Sequence, residues 1–232
     1  MSEPLLERLR AELPVATASF ALAGREAGLM IANATGTPCA ADGTALPEPA
    51  PTPRAAAAIA ETERLARRFL AHRWPVLAFV DQRAPAGQPA AALAWLRDDP
   101  DVTLLPKDCV SGFVGAIEAV HHGQHGTSHN RAVDWINAHR VDIVLVAGLG
   151  TDLCVLELVL GLLSARAHGM MPTLRAIVVP EAATATYDLS ADRAAGLGLP
   201  ASAAHPEQPT HHLGLYLMAS RGAVIASEVV GL

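Results

Sequence analysis

Residues 141–161 read VDIVLVAGLGTDLCVLELVLG. The run DIVLVAG (142–148) is apolar without in/out alternation. It enters a turn holding two glycines, Gly148 and Gly150, and passes into a second apolar run that carries Cys154. A strand that is apolar on both sides is one covered on both faces, and a strand feeding a helix through a short turn is the repeating unit of parallel sheets.

The same unit recurs along the chain. GLMIAN (28–33) reads as a strand, AAAAIAETERLARRFLAHRW (55–74) as an amphipathic helix and PVLAFVD (75–81) as a buried strand. VTLLPKD (102–108) is a further strand, SGFVGAIEAV (111–120) a short helix, and NRAVDWINAH (130–139) the helix before the quoted strand. LRAIVVPEA (174–182) and AVIAS (223–227) supply strands and THHLGLYLMASR (210–221) a helix, while residues 4–13 form a short amphipathic helix at the start. Two stretches rich in Gly and Pro, 34–54 and 82–89, read as loops, and HHGQHGTSH (121–129) as an irregular polar segment. The expected fold is three-layer α/β/α with a mostly parallel central sheet, Rossmann-like, in one domain over residues 1–232.

Composition narrows the function. A net charge of −6, with basic residues mostly single, offers no stripe for a phosphate backbone, so nucleic acid is not an expected partner. No apolar run approaches the ~20 residues of a membrane span, and the N-terminus has no signal-peptide pattern. A cytoplasmic chain with reduced thiols follows, since three scattered cysteines, Cys39, Cys109 and Cys154, make neither a disulfide framework nor a metal knuckle. Of seventeen basic residues, one alone is lysine, Lys107. Arginine supplies the charge elsewhere, so Lys107 marks a position that wants a compact ammonium with tunable chemistry.

In open parallel sheets, ligands bind beyond the carboxyl ends of the strands. Four such ends carry polar or reactive residues: Asn33, Asp81, Lys107 and the turn GLGTDLC. A cysteine in the first turn of a helix sits among unpaired N–H groups at the positive end of the macrodipole, which favours a thiolate and offers donors to an oxyanion. Thr151 or Asp152 is placed to cap that helix. The plain alternative for Cys154 is core packing. A dinucleotide site is excluded, because Leu153 stands where the third glycine of G-x-G-x-x-G must be. Lys107, at the end of a neighbouring strand, would hold a thiolate and hand a proton to a leaving amine; Cys109 reads as a packing residue.

These residues carry a resemblance. GLGTDLCV (148–155) resembles the G-x-x-T-D-x-C-V signature of the isochorismatase-like cysteine hydrolases, which include nicotinamidases and carbamoylsarcosine amidohydrolases. GLMIANATGTPC, LLPKDCVSGF, AIVVPEAATAT and THHLGLYLMASRGAVIASEVV are similar, in order, to that family's first strand, its lysine strand, the strand after the cysteine helix, and its closing helix and strand. The likeness covers about residues 25–232. It implies hydrolysis of a small amide or related C–N bond through an acyl-enzyme on Cys154, with Lys107 as cationic partner. It also implies an oxyanion hole from the amides of Cys154 and Gly150, with a cis peptide at Leu149–Gly150, and a homo-oligomer acting on a small molecule without a cofactor.

The family's aspartate base aligns with Asn33, whose amide cannot accept a proton at neutral pH. Three readings stay open: Asp81 or Asp152 takes protons instead, the site has moved to another substrate, or the chain is a silent relative that binds or scaffolds. A redox use of the thiol is a further alternative. Asp81 and Phe113 are expected to line the substrate site, and Arg83 to bind a substrate carboxylate or to be surface charge. Asp81-Gln82-Arg83 lacks the histidine of the Asp-x-His with which nicotinamidases hold a divalent metal, so no metal is expected there. The histidines of 121–129 read as a solvated, oligomer-contacting loop.

Overall fold

A computed structural model of the 232-residue chain describes residues 2–34, 52–82, 91–122 and 125–232. Cys39 and Arg83, and most of the loop 34–54, lie outside the described residues. The elements in chain order are α1 (Ser2–Glu12), β1 (Thr17–Ala21), β2 (Ala27–Ile31), α2 (Pro53–Ala71), β3 (Val76–Asp81), β4 (Val102–Lys107) and the single-turn α3 (Gly112–Gly115). They continue with β5 (Ile117–His122), β6 (His125–Asn130), α4 (Arg131–Ala138), β7 (Ile143–Leu149), α5 (Leu156–Ala167), β8 (Ala176–Pro180) and β9 (Thr184–Ala185). α6 (Ala191–Gly196), α7 (Glu207–Ala219) and β10 (Val224–Val230) complete the chain. Among the described residues no helix is long and apolar enough to cross a membrane.

The main sheet runs β1-β10-β8-β7-β2-β3-β4, and every pairing in it is parallel. β9 adds two residues beside the end of β7. Side chains alternate across a strand, and here both faces are apolar. Met30, Leu77, Phe79, Val144, Val146, Ile177 and Val179 face a core closed by α4, α5 and α7. Leu29, Ile31, Val76, Ala78, Ile143, Leu145 and Val178 face the other, closed by α2 and the turn Ala91–Arg97. Two covered faces explain why these strands read as continuous apolar runs.

The same parity aims the polar strand ends. Asp81 continues the row Leu77–Phe79 and Lys107 continues from Leu105, so both are directed toward the α5 face, and they are register partners on adjacent strands. The α2 helix is started by Thr52, whose Oγ1 accepts from Ala55 N at 3.1 Å, with Pro53 at the first helical position; such a cap stabilises by about 1 kcal/mol.

Three expectations need correction. SGFVGAIEAV holds only one helical turn, because the chain turns at Ala116 into β5. HHGQHGTSH is not irregular: β5 and β6 pair antiparallel as a separate two-stranded ribbon from Ile117↔Asn130 to His122↔His125. And β4 does not neighbour β7, for β2 and β3 lie between them.

Helix α7 packs tightly on the turn that follows β7. A Cβ on Gly214 would stand 2.9 Å from Asp152 Cα, where only backbone could give way. Gly214→Ala is therefore expected to cost about 1–3 kcal/mol and lower Tm by roughly 3–10 °C, while Gly196→Ala, which meets open space, leaves Tm unchanged or slightly raised. Differential scanning calorimetry of the two variants checks this.

Candidate active site

The turn after β7 is built on glycine. Gly148 has φ +123° and a Cβ there would lie 3.2 Å from Asn33 N; Gly150 has φ +82°. L side chains rarely adopt such dihedrals, and with them the chain leaves β7 abruptly. All peptide bonds among the described residues are trans, Leu149–Gly150 included. The expected cis bond is absent because the left-handed glycines already make the bend. Thr151–Val155 then forms a π turn, wider than an α turn, leading into α5. Single π turns of this kind are frequent at functional sites.

Cys154 sits in that π turn, buried in the core on the α5 face. Its Sγ is 3.2 Å from Lys107 Nζ. Three strand spacings, about 14 Å, separate the ends of β7 and β4, and the turn together with the lysine side chain spans them. The Lys107 ammonium also donates to Val110 O at 3.1 Å and lies 3.8 Å from Asp81 Oδ2. The Lys107 and Asp81 side chains are both 0% exposed. A buried charge requires a partner, and removing one member of such a pair costs about 3–5 kcal/mol. Gly115 of α3 makes room here: a Cβ on it would be 2.9 Å from Lys107 Cβ.

Asn33 is buried at the end of β2, between the ends of β3 and β7, with its backbone against Gly148. The four expected strand ends thus belong to four consecutive strands, β7-β2-β3-β4. Phe113 is partly buried. It fills a notch in α5 left by Gly161, where a Cβ would be 2.4 Å from the ring. The Gly150 N–H, expected to meet an oxyanion, donates to Ala185 O at 2.7 Å, and Gly150 O accepts from the amides of Leu153 and Val155.

Neither Thr151 nor Asp152 caps the helix by a side-chain bond. Tertiary partners take them instead, and sequence reasoning missed these partners. Asp152 Oδ1 accepts from Thr186 Oγ1 at 2.6 Å, and its Oδ2 meets His205 Nε2 at 2.7 Å. His205 Nδ1 faces Tyr187 O at 2.9 Å, and its ring stacks on Tyr187 at 3.8 Å. Both ring nitrogens thus face acceptors, which suits the imidazolium. Burial pushes the His205 pKa down, but Asp152 and the Tyr187 carbonyl outweigh it and hold it above the ordinary value. Burial likewise pushes Asp152 up, and the bonds from His205 and Thr186 bring it below the ordinary value. Thr151 Oγ1 pairs with His211 Nδ1 at 2.8 Å.

Asp81 is taken up by Lys107, and the next described residue is Gln82, so the described residues do not supply an acid-plus-imidazole set for a divalent metal. Among them no three His, Cys, Asp or Glu side chains converge in a group that would hold an ion. His129, at the end of the ribbon, pairs with Asp134 at 2.6 Å.

A parallel α/β sheet with a cysteine, a lysine and an aspartate buried together beyond its strand ends defines a class of protein, a three-layer α/β domain with a thiol beside an ion pair. Residues 46–209 match the isochorismatase domain, and the chain belongs to that family of cysteine hydrolases. It is 29% identical to Nicotinamidase 1 of Arabidopsis thaliana across 98% of this chain and 97% of that one. Its fold is similar to that of a nicotinamidase from Staphylococcus aureus (TM-score 0.57, 14% identity, 88% of this chain and 99% of that one). A cysteine hydrolase from Pseudomonas syringae (0.58, 14%, 87% and 88%) and the N-carbamoylsarcosine amidase of Thermoplasma acidophilum (0.55, 15%, 89% and 99%) share it as well.

The His205–Asp152 pair has a definite pH signature. His205 binds its proton more tightly folded than unfolded, so its contribution is present below its unfolded pKa of about 6.5 and lost as pH rises through the raised folded value. Asp152, lowered, contributes above about 3.9 and loses this as pH falls. The Tm gap between the parent and His205→Gln is therefore expected to be widest at pH 5–6 and to close progressively above pH 7; melts from pH 5 to 9 measure it, and a gap independent of pH contradicts the pairing.

Proposed function

We propose that this chain hydrolyses a small-molecule amide or related C–N bond through a thioester on Cys154, with Asp81 in the proton-accepting role for which Asn33 is unsuited. The observation that carries this is the buried file Asp81–Lys107–Cys154, at 3.8 and 3.2 Å. The 29% identity to a plant nicotinamidase supports amide hydrolysis as the reaction class.

The steps balance as follows. Cys154 Sγ attacks the carbonyl carbon, its proton passing to the Asp81–Lys107 pair, and the carbonyl electrons move to oxygen. The Cys154 amide and the positive end of the π turn stabilise that oxyanion. Collapse breaks the C–N bond, and the pair returns the proton to the leaving nitrogen. Water then attacks the thioester, giving one proton to the pair; the C–S bond breaks, the carboxylic acid leaves, and the proton returns to sulfur. Throughout, the Lys107 ammonium offsets negative charge on sulfur at a distance where, away from water, a unit charge acts strongly. Asn33, with donors and an acceptor but no titration, orients substrate or thiol.

The reading is tested by turnover on a panel of small amides, with melts to establish folding. Cys154→Ala is expected to abolish ammonia or amine release. Asp81→Asn is expected to lower kcat by about 10²–10⁴, the range of a lost general base, and Asn33→Ala to lower it far less. Near-parental rates in folded Asp81→Asn would sink the assignment of Asp81. No turnover of any amide by the parent would favour a ligand-binding relative.

A further inference from the structure

A polar cavity lies away from the Cys154–Lys107 file. It has a volume of about 320 Å³, at the lower end of the range for small-ligand sites, and is bounded by the end of α1 with the segment up to Thr17, Glu181, and the first turns of α2 and α7. Its charged and titratable lining is Arg10, Arg54, Glu181, His211 and His212.

Two features of this lining need a partner. Arg54 stands in the first turn of α2, where the macrodipole disfavours a cation, and among the described residues neither Arg54 nor Arg10 forms an ion pair. Among the described residues the side-chain hydrogen bond of Arg54 goes from Nη1 to His211 Nε2 at 3.1 Å. A guanidinium has only donors, so Nε2 accepts, the proton sits on Nδ1, and Nδ1 donates to Thr151 Oγ1 at 2.8 Å. Burial and then the charge of Arg54 push His211 down to about 4, which keeps it in this neutral form. His212 donates Nε2–H to Leu13 O at 3.0 Å. The cavity thus presents two guanidinium groups, one carboxylate and the neutral ring of His211.

We propose that this cavity binds a small oxyanion that also carries an O–H or N–H donor, such as hydrogenphosphate or a hydroxy- or amino-carboxylate, and that its occupancy is felt at Cys154 through Arg54, His211 and Thr151. The guanidinium forks of Arg54 and Arg10 take the anionic oxygens. Glu181 repels a fully anionic face and accepts from the ligand's donor. Drawing Arg54 toward the ligand removes its bond to His211, and His211 holds Thr151, the first residue of the π turn that carries Cys154.

The test is binding, followed on the full chain by thermal shift and calorimetry at constant ionic strength, with phosphate, sulfate, lactate and acetate as probes. Phosphate and lactate are expected to bind saturably, and sulfate and acetate, which lack the donor, at least about fivefold more weakly. Arg54→Met and the exposed Arg10→Met are each expected to weaken binding about tenfold, whereas Cys154→Ala binds like the parent. Absence of saturable binding, binding unchanged in both arginine variants, or binding lost in Cys154→Ala would overturn the site. The link is read separately, from the rate at which iodoacetamide labels Cys154, which does not depend on any amidase turnover. Saturating phosphate is expected to change that rate about fivefold, and Thr151→Val to remove the change while leaving binding intact. An unchanged rate in the parent overturns the link alone.

Discussion

The constraint on which the site depends is that a lysine ammonium has been placed entirely out of water. Such a charge is costly unless carboxylate, carbonyl and sulfur surround it closely. Val110 O, Asp81 and Cys154 do so, on the face of the sheet shared with α5. The rest of the local structure follows from that requirement. α3 carries glycines so that its backbone can lie on Lys107 and Phe79, and Phe113 packs into the Gly161 notch of α5.

The turn that holds Cys154 is fixed from outside itself. Its backbone is bent by left-handed glycines and widened into a π turn, and its first two side chains are held by residues 34 to 60 positions away in sequence, Thr186, His205 and His211. A turn made this way has little stability of its own. The surroundings of Cys154 therefore include an ion pair and a histidine contributed by distant segments.

Much of this was legible along the chain. Unalternating apolar strands separated by helices predicted a doubly covered parallel sheet, and the glycine turn before Cys154 and the solitary lysine marked two of its strand ends. Asp81 was visible as a candidate without its rank. Residue spacing cannot order strands, so Lys107 was expected beside the Cys154 strand and is three strands away. The ribbon β5–β6 went unread because its glycines and histidines carry no apolar alternation.

The sequence by itself determined the fold class and the chemical types at the strand ends, because periodicity and turn residues act locally. Tertiary structure alone decided which carboxylate meets the lysine: strand order brings β3 beside β4, and side-chain parity turns Asp81 and Lys107 to the same face. It also decided that Thr151 and Asp152 serve distant histidines rather than their own helix. Those are contacts between segments far apart in the chain, and no local pattern encodes them.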